Sequence, residues 1–145
     1  MARNTLKLDV RGFTETLRRL DSLGGDVKRA VEDALTQAAE TIAEDTKEAV
    51  SAANLPAGGI YSTGATKEAI VQDYRVRWEG MLSWVPVGFD FSKPGAGGFL
   101  ITGTPRMQPD KELNRMYKQK RYMNKIQEDM GNVIMDYVIE KMEGN

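Results

Sequence analysis

Alternating apolar and polar residues near the N-terminus predict a β-strand. Over Thr5–Val10 (TLKLDV) an aliphatic side chain occupies every second position, which is the period of a half-buried strand. After Gly12 the apolar spacing changes to three and four residues. The apolar residues of that stretch are Phe13, Leu17, Leu20 and Leu23. This spacing predicts a short amphipathic helix that ends at Gly24–Gly25.

A long helix is predicted from about Asp26, a plausible N-cap, to Ala52. Its apolar positions recur every three or four residues, and many of them are alanine, the residue with the highest helix propensity. They are Val31, Ala34, Leu35, Ala38, Ile42, Ala49 and Val50, with Ala30, Ala39 and Ala43 beside them. At 1.5 Å per residue such a helix is about 40 Å long, enough to cross a whole sheet or to protrude from it.

Further strands are predicted in the second half of the chain, after a turn-rich connection over Asn54–Thr66. Val71–Glu79 and Met81–Phe89 have the composition of two paired strands joined at Glu79–Gly80. Pro86 predicts that the second of them is an edge strand or contains a bulge, because proline cannot donate a ladder hydrogen bond. Phe99–Thr102 predicts a last short strand, followed by an extended passage over Pro105–Pro109.

A C-terminal helix is predicted to begin at Pro109–Asp110, with Asp110 as its N-cap. An apolar stripe then runs to the C-terminus, and Gly131 is a position where the helix could bend. Together these elements predict an α+β fold in one domain over residues 1–145. We expect an antiparallel sheet of about four strands, packed by the long helix and the C-terminal helix.

Composition restricts the chemistry available to this chain. The 145 residues include neither cysteine nor histidine, so thiolate chemistry and the commonest general base and zinc ligand are missing. We therefore expect a protein that is not an enzyme, with no cofactor, no metal site and no small-molecule substrate. No apolar run approaches the length of a membrane-spanning helix, and the N-terminus lacks the apolar core of a signal peptide. We expect no membrane association and folding in a cytoplasm.

Gly59–Thr66 (GIYSTGAT) resembles a phosphate-binding loop but lacks its lysine. Ala65 stands where the pattern G-x-x-x-x-G-K-[ST] requires lysine, and Lys67 is displaced by two positions. The preceding residues are the end of a predicted helix and Ala53–Pro56, whereas a phosphate loop follows a buried strand. This stretch therefore predicts a turn.

Carboxylates leave a metal-dependent hydrolase as an alternative function. Pro109–Asp110 is similar to the start of a nuclease signature, PD…(D/E)xK, but the carboxylate-x-lysine triplets lie upstream of it. A helix cap explains Asp110 with fewer assumptions. Glu44, Asp45 and Glu48 could form a carboxylate cluster, although the spacing of Glu44 and Glu48 favours a solvated helix face.

A basic segment lies at the start of the C-terminal helical region. The net charge of the chain is −1, but the charges are unevenly distributed. Asp110–Lys125 carries six basic residues against two acids, whereas the charged residues after Lys125 are five acids and Lys141. The candidates for contact with a polyanion are Lys118, Lys120, Arg121 and Lys125. A nucleic-acid-associated binding protein is therefore the second alternative, beside a solvated or partner-facing helix surface.

Two short motifs resemble those of the tail-completion and head–tail connector (neck) proteins of long-tailed bacteriophages. The first is Thr63–Ile70 (TGATKEAI), whose Thr63 and Gly64 occupy the Thr-Gly turn that follows the long helix in that family. The second is Phe99–Pro109 (FLITGTPRMQP), with a Gly-Thr pair and prolines before the last helix. Its matching residues are Gly103, Thr104, Pro105 and Pro109. Under this resemblance the Thr63–Gly64 turn is the start of the sheet.

The resemblance implies a non-enzymatic component of the virion. It implies a homo-oligomeric ring, often of six copies, at the head-proximal end of the tail or in the neck, assembled in the host cytoplasm. Other neck or tail proteins would be its partners, and DNA would pass through the ring without sequence-specific contact. The Pro- and Gly-rich loop Asp90–Gly98 is expected to act as an arm that orders on assembly. Its candidate contact residues are Phe91, Lys93, Pro94 and Gly95.

Overall fold

A computed structural model describes residues 6–9, 26–80 and 82–143 of the chain. It contains a strand β1 (Leu6–Asp9), a long helix α1 (Asp26–Ala52) and a short helix α2 (Thr63–Glu68). Strands β2 (Arg77–Glu79) and β3 (Leu82–Val87) follow. The remaining elements are the helices α3 (Gly97–Thr102), α4 (Lys111–Tyr117) and α5 (Lys120–Glu143). The helix predicted over Phe13–Leu23 lies outside the described residues.

Helix α1 has the predicted bounds and forms the centre of the fold. Its apolar stripe is buried, with Leu35 and Ile42 fully inaccessible to solvent. One part of this stripe packs on β3 and β1, and another packs on α5. The alanines along α1 let these elements approach closely, because a methyl side chain fills little space. The mixed helix-and-sheet architecture is therefore confirmed, with α1 against both the sheet and α5.

The sheet is antiparallel and has three strands in the order β1–β3–β2 within the described residues. Leu8 pairs with Val85, and Arg77 pairs with Trp84. Leu8, Val85 and Val87 are buried in the same core as the stripe of α1. The strand predicted over Thr5–Val10 is confirmed for Leu6–Asp9, and the sheet's apolar face meets α1.

The predicted fourth strand, Phe99–Thr102, is wrong, because this segment is helical. It forms α3, in which the Leu100 N–H donates to the Ala96 carbonyl at 2.9 Å. Leu100 and Ile101 are both buried although they are adjacent, which alternation in a strand exposed on one face does not allow. A run of only three apolar residues cannot be assigned to helix or strand from its spacing alone.

The strand predicted over Val71–Glu79 is shorter than expected, and Pro86 does not lie in an edge strand. Only Arg77–Glu79 pairs with β3, which is the central strand. The residues before Arg77 run away from β3. The next backbone contact is at Val71, whose N–H donates to the Gly88 carbonyl just after β3. Residues two apart in a strand direct their backbone groups to the same side. The backbone of Pro86 therefore points to the side of β3 where residues 72–76 do not pair with it, and no N–H is needed there.

Two further predictions about element boundaries are corrected. Thr63 and Gly64 do not begin the sheet, since they form the first turn of α2. The C-terminal helix is not continuous, because it divides into α4 and α5 at Lys118–Gln119. The predicted N-cap is confirmed: the Asp110 carboxylate accepts a hydrogen bond from the Leu113 N–H at 3.1 Å.

Candidate assembly surface

The two motif segments lie side by side in the fold. The rings of Tyr61, just before α2, and Phe99, in α3, meet edge to face with centroids 5.6 Å apart. Beneath them the buried Thr66 hydroxyl accepts a hydrogen bond from the Ala96 N–H at 2.9 Å. These contacts join α2 to the start of α3, so residues separated by more than thirty positions form one surface.

Local hydrogen bonds fix the first motif. Ser62 is the N-cap of α2, and its hydroxyl accepts from the Ala65 N–H at 3.1 Å. The Thr63 N–H donates to the Pro56 carbonyl at 3.2 Å, while Gly64 is exposed. Thr63 and Gly64 therefore serve as a helix start that anchors the loop after α1, which is a structural role rather than a phosphate site.

A compact connection between α3 and α4 contains the second motif. Gly103 ends α3 with φ 75° and ψ 178°, a conformation that only glycine adopts readily. Thr104 and Met107 exchange backbone hydrogen bonds of 2.8 and 3.2 Å around the exposed Pro105. Pro109 packs directly against Gly103, and the Asp110 N–H donates to the Leu100 carbonyl at 2.7 Å. The motif thus holds α3 at a fixed angle to α4.

Exposed apolar side chains surround the meeting point of the two motifs. We call this surface the aromatic patch, and it consists of Ile60, Tyr61, Phe91 and Phe99. Their exposed fractions are 59, 48, 54 and 44 %. The Phe91 ring lies against Gly98, the residue before Phe99. Exposed apolar side chains grouped in this way mark interaction sites on soluble proteins.

The predicted assembly loop is fixed to its own subunit at one end and exposed at the other. Gly95 packs against the backbone of Thr66, and Gly97 packs against the Phe89 ring. The exposed part is therefore limited to Phe91–Pro94, which includes Lys93. Contacts at Gly95 count against an arm that detaches as a whole, but Phe91 remains available as part of the aromatic patch.

The predicted polyanion residues are exposed on α5 and on the turn before it. Lys118, Lys120, Arg121 and Lys125 make no salt bridge within the described part of the chain. By contrast, Arg115 pairs with Glu112 at 2.8 Å and lies over the Tyr122 ring. The structure therefore leaves all four basic side chains available to a partner.

The partly buried Tyr117 and the buried Tyr122 connect α1 to α4 and α5. The Tyr122 hydroxyl donates to the Asp45 carboxylate at 2.7 Å. The Thr46 hydroxyl donates to the Ile42 carbonyl, so it accepts from the Tyr117 hydroxyl at 2.6 Å. The helical spacing of apolar residues after Asp110 includes Tyr117 but gives no sign of these hydrogen bonds. Asp45 is thus a structural acceptor, while Glu44 and Glu48 are exposed as predicted.

These tyrosines are expected to ionise late in an alkaline titration. Burial raises the pKa of Tyr117 from 10.0 to about 12, and burial together with the Asp45 carboxylate raises the pKa of Tyr122 further. A raised pKa means that the folded state holds the proton more tightly than the unfolded state. The resulting stabilisation is complete below pH 10.0 and is lost as the pH rises through about 12.

Tyrosinate absorbance measures this directly. Of the five tyrosines, we expect Tyr117 and Tyr122 to ionise in a late step that coincides with unfolding. Tyr117→Phe and Tyr122→Phe should each shrink that step by one tyrosine. Ionisation of Tyr117 and Tyr122 near pH 10 in folded protein would contradict their burial and hydrogen bonds.

A cleft with a volume of about 770 Å³ opens on the outer face of the sheet. Its lining includes Trp84, Pro86, Asp73 and Arg77. The Asp73 carboxylate accepts hydrogen bonds from the backbone N–H of Arg75 and from the side chains of Arg75 and Arg77. These hydrogen bonds lower the pKa of Asp73. Two charged residues of the lining, Asp73 and Arg77, are thus paired with each other.

The described residues form neither a metal-binding cluster nor a membrane-spanning helix. No group of three or more carboxylates could hold a metal ion in the part of the chain that the structure describes. Asp110, the residue shared with the nuclease-like signature, caps α4. Among the described helices none combines the length and the hydropathy needed to cross a bilayer.

Comparison with known proteins gives no relative. A scan against protein-family models, a search of curated proteins and a search of solved structures each find no match.

Proposed function

We propose that this chain is a structural protein that assembles into a homo-oligomeric ring through the aromatic patch. The observation behind this proposal is the contact of Tyr61 with Phe99, which places both motif segments around one exposed apolar surface. Side chains of this size supply most of the energy of protein interfaces when they are buried. The binding energy comes from contact between copies, and no catalysis is required.

A ring forms when each copy contacts the next through two different surfaces. If the aromatic patch of one copy contacts a different surface of the next, the interface is heterologous and generates a ring when the rotation closes. The edges of the small sheet are further candidates for contact, because each outer strand has one side without a ladder partner among the described residues.

The resemblance of the two motifs supplies the biological setting of the proposal. The ring, often of six copies in that family, is a tail-completion or head–tail joining component of a bacteriophage virion. It contacts other neck or tail proteins, and DNA passes through it without sequence-specific contact. It needs no cofactor and acts on no small-molecule substrate.

Charge introduced into the aromatic patch tests the proposal. Phe99→Glu should prevent ring closure, because a carboxylate buried at the interface has no partner. Ile139→Glu is the matched control for ring closure, since Ile139 has a similar exposed fraction of 47 % but lies on α5, outside the aromatic patch. Sedimentation should show the ring for the control and only species smaller than the ring for Phe99→Glu. Equal assembly of both variants would contradict the role of the patch.

The unpaired basic side chains favour one second candidate, a nucleic-acid-associated protein. Lys118, Lys120, Arg121 and Lys125 would then contact phosphates, and binding would weaken steeply with salt. Fluorescence anisotropy with duplex DNA from 50 to about 200 mM salt distinguishes the two functions. Steeply salt-dependent binding by the Phe99→Glu variant, which does not form the ring, would favour the DNA-binding role.

A further inference from the structure

The charge changes sign along the segment formed by α5 and the two residues before it. We call residues 118–125 the basic half and residues 126–140, which end just before Lys141, the acidic half. Residues 118–125 contain four basic side chains and no acid, whereas residues 126–140 contain four acids and no base. The acids are Glu128, Asp129, Asp136 and Glu140. All eight side chains are exposed, and none forms a salt bridge within the described residues. The outer surface of the helix is therefore strongly polarised along its axis.

The exposed face of α5 also has the spacing of a helix-pairing seam. We call it the α5 stripe: it advances by alternating steps of four and three residues. Its members are Arg121, Lys125, Glu128, Asn132, Met135 and Ile139. Steps of four and three keep side chains facing a partner helix over several turns. Met135 and Ile139 are 44 and 47 % exposed, so apolar surface on this stripe lacks cover in the single chain.

The buried face of α5 is already used within the subunit. Ile126, Met130, Ile134 and Val138 are in the core, and α5 packs on α1. The residues of the α5 stripe alternate in sequence with these buried residues, but their side chains are exposed on the opposite face of the helix. A partner for it must therefore come from outside the described chain.

We propose that the α5 stripe binds the α5 stripe of a second copy in an antiparallel pair. Antiparallel alignment places the basic half of each helix beside the acidic half of the other, whereas parallel alignment brings like charges together. When the two stripes are aligned over their full length, Arg121 of one copy lies opposite Ile139 of the other, and Lys125 lies opposite Met135. The aliphatic stems of the basic side chains then cover the two exposed apolar side chains.

The centre of the stripe agrees with this alignment. Glu128 of one copy lies opposite Asn132 of the other, where the amide can donate a hydrogen bond to the carboxylate. A parallel pair would instead oppose Glu128 to Glu128. This contact is isologous and uses a different surface from the aromatic patch, so it does not depend on the ring. If both exist, the α5 pair joins two rings.

Charge reversal with rescue tests the pair. Arg121→Glu/Lys125→Glu should raise the dissociation constant of the pair about tenfold or more, because each acidic half then faces another acidic segment. Asp136→Lys/Glu140→Lys should do the same by opposing two basic segments. Mixing these two variants should restore a one-to-one complex, which loss of folding in either variant would not allow. Glu44→Lys/Glu48→Lys on α1 is the matched control and should pair like the wild type.

Sedimentation velocity in the wild-type and Phe99→Glu backgrounds separates this contact from ring closure. The expected species in the Phe99→Glu background is a pair that dissociates as salt increases. Three results would overturn the proposal: no effect of either reversal, no rescue on mixing, or complexes larger than a pair in that background. A fourth is an unchanged sedimentation pattern with lost binding of duplex DNA by Arg121→Glu/Lys125→Glu, which would assign the basic half to a polyanion.

Discussion

Gly103→Ala is expected to lower the free energy of unfolding by about 3 kcal/mol. The φ of 75° and ψ of 178° at Gly103 lie in a region that is essentially restricted to glycine. A Cβ there would lie 2.8 Å from the Met107 carbonyl oxygen and 2.9 Å from the Pro109 nitrogen. Both neighbours are backbone atoms, so relief requires the connection between α3 and α4 to move. Urea unfolding at fixed protein concentration measures the loss.

Two other glycines separate the causes of this effect. Gly59 has φ 94° but open space around its Cβ position, so Gly59→Ala should show the conformational cost alone. Gly58 has neither restriction, and Gly58→Ala should be neutral or stabilising by about 0.5 kcal/mol. An equal loss in Gly58→Ala and Gly103→Ala would contradict the tight connection described for the second motif.

Leu35→Ala is expected to lower the free energy of unfolding by about 3 kcal/mol as well. Leu35 is fully buried in the middle of α1, in the core shared with the sheet and α5. Removing its side chain loses apolar burial and leaves a cavity that rigid neighbours on several sides cannot fill. The midpoint of urea unfolding should fall while the denaturant dependence stays constant.

Gln37→Ala supplies the control for the core prediction. Gln37 lies two residues further along α1 and is exposed, so its replacement should change stability by no more than about 0.5 kcal/mol. If Leu35→Ala were equally harmless, α1 would not occupy the centre of the fold.

The helices could be predicted well where their apolar pattern extends over several turns. Seven turns of α1 give the same periodicity repeatedly, so its bounds at Asp26 and Ala52 were predicted correctly. The break at Lys118–Gln119 was not, because apolar residues continue on both sides of it at helical spacing. The apolar pattern alone does not record a change in chain direction.

Short segments gave the incorrect predictions. Phe99–Thr102 has the residue types of a strand, but helix α3 is fixed by tertiary contacts, among them the Asn114 amide donating to the Ile101 carbonyl. Similarly, Val71–Val76 has strand-like alternation, but after the hydrogen bond of Val71 to Gly88 the chain does not pair with β3 again until Arg77. Segments this short hold too little periodic information to outweigh such contacts.

The aromatic patch could be predicted only in part from the sequence. The two motifs drew attention to Thr63, Gly64, Gly103 and Thr104, which act as helix starts and connections. The exposed side chains beside them, Tyr61 and Phe99, form the surface itself. Exposure of an aromatic residue depends on the packing of distant segments, so only the fold could bring these two together.

The mass of the assembled wild-type protein in solution decides whether the chain forms a ring. Native mass spectrometry should find a closed oligomer of more than two copies, and Phe99→Glu should abolish it while Ile139→Glu preserves it. Electron microscopy of the same sample should show rings. A wild-type chain that stays monomeric at every protein concentration, or forms nothing larger than a pair, would contradict the account.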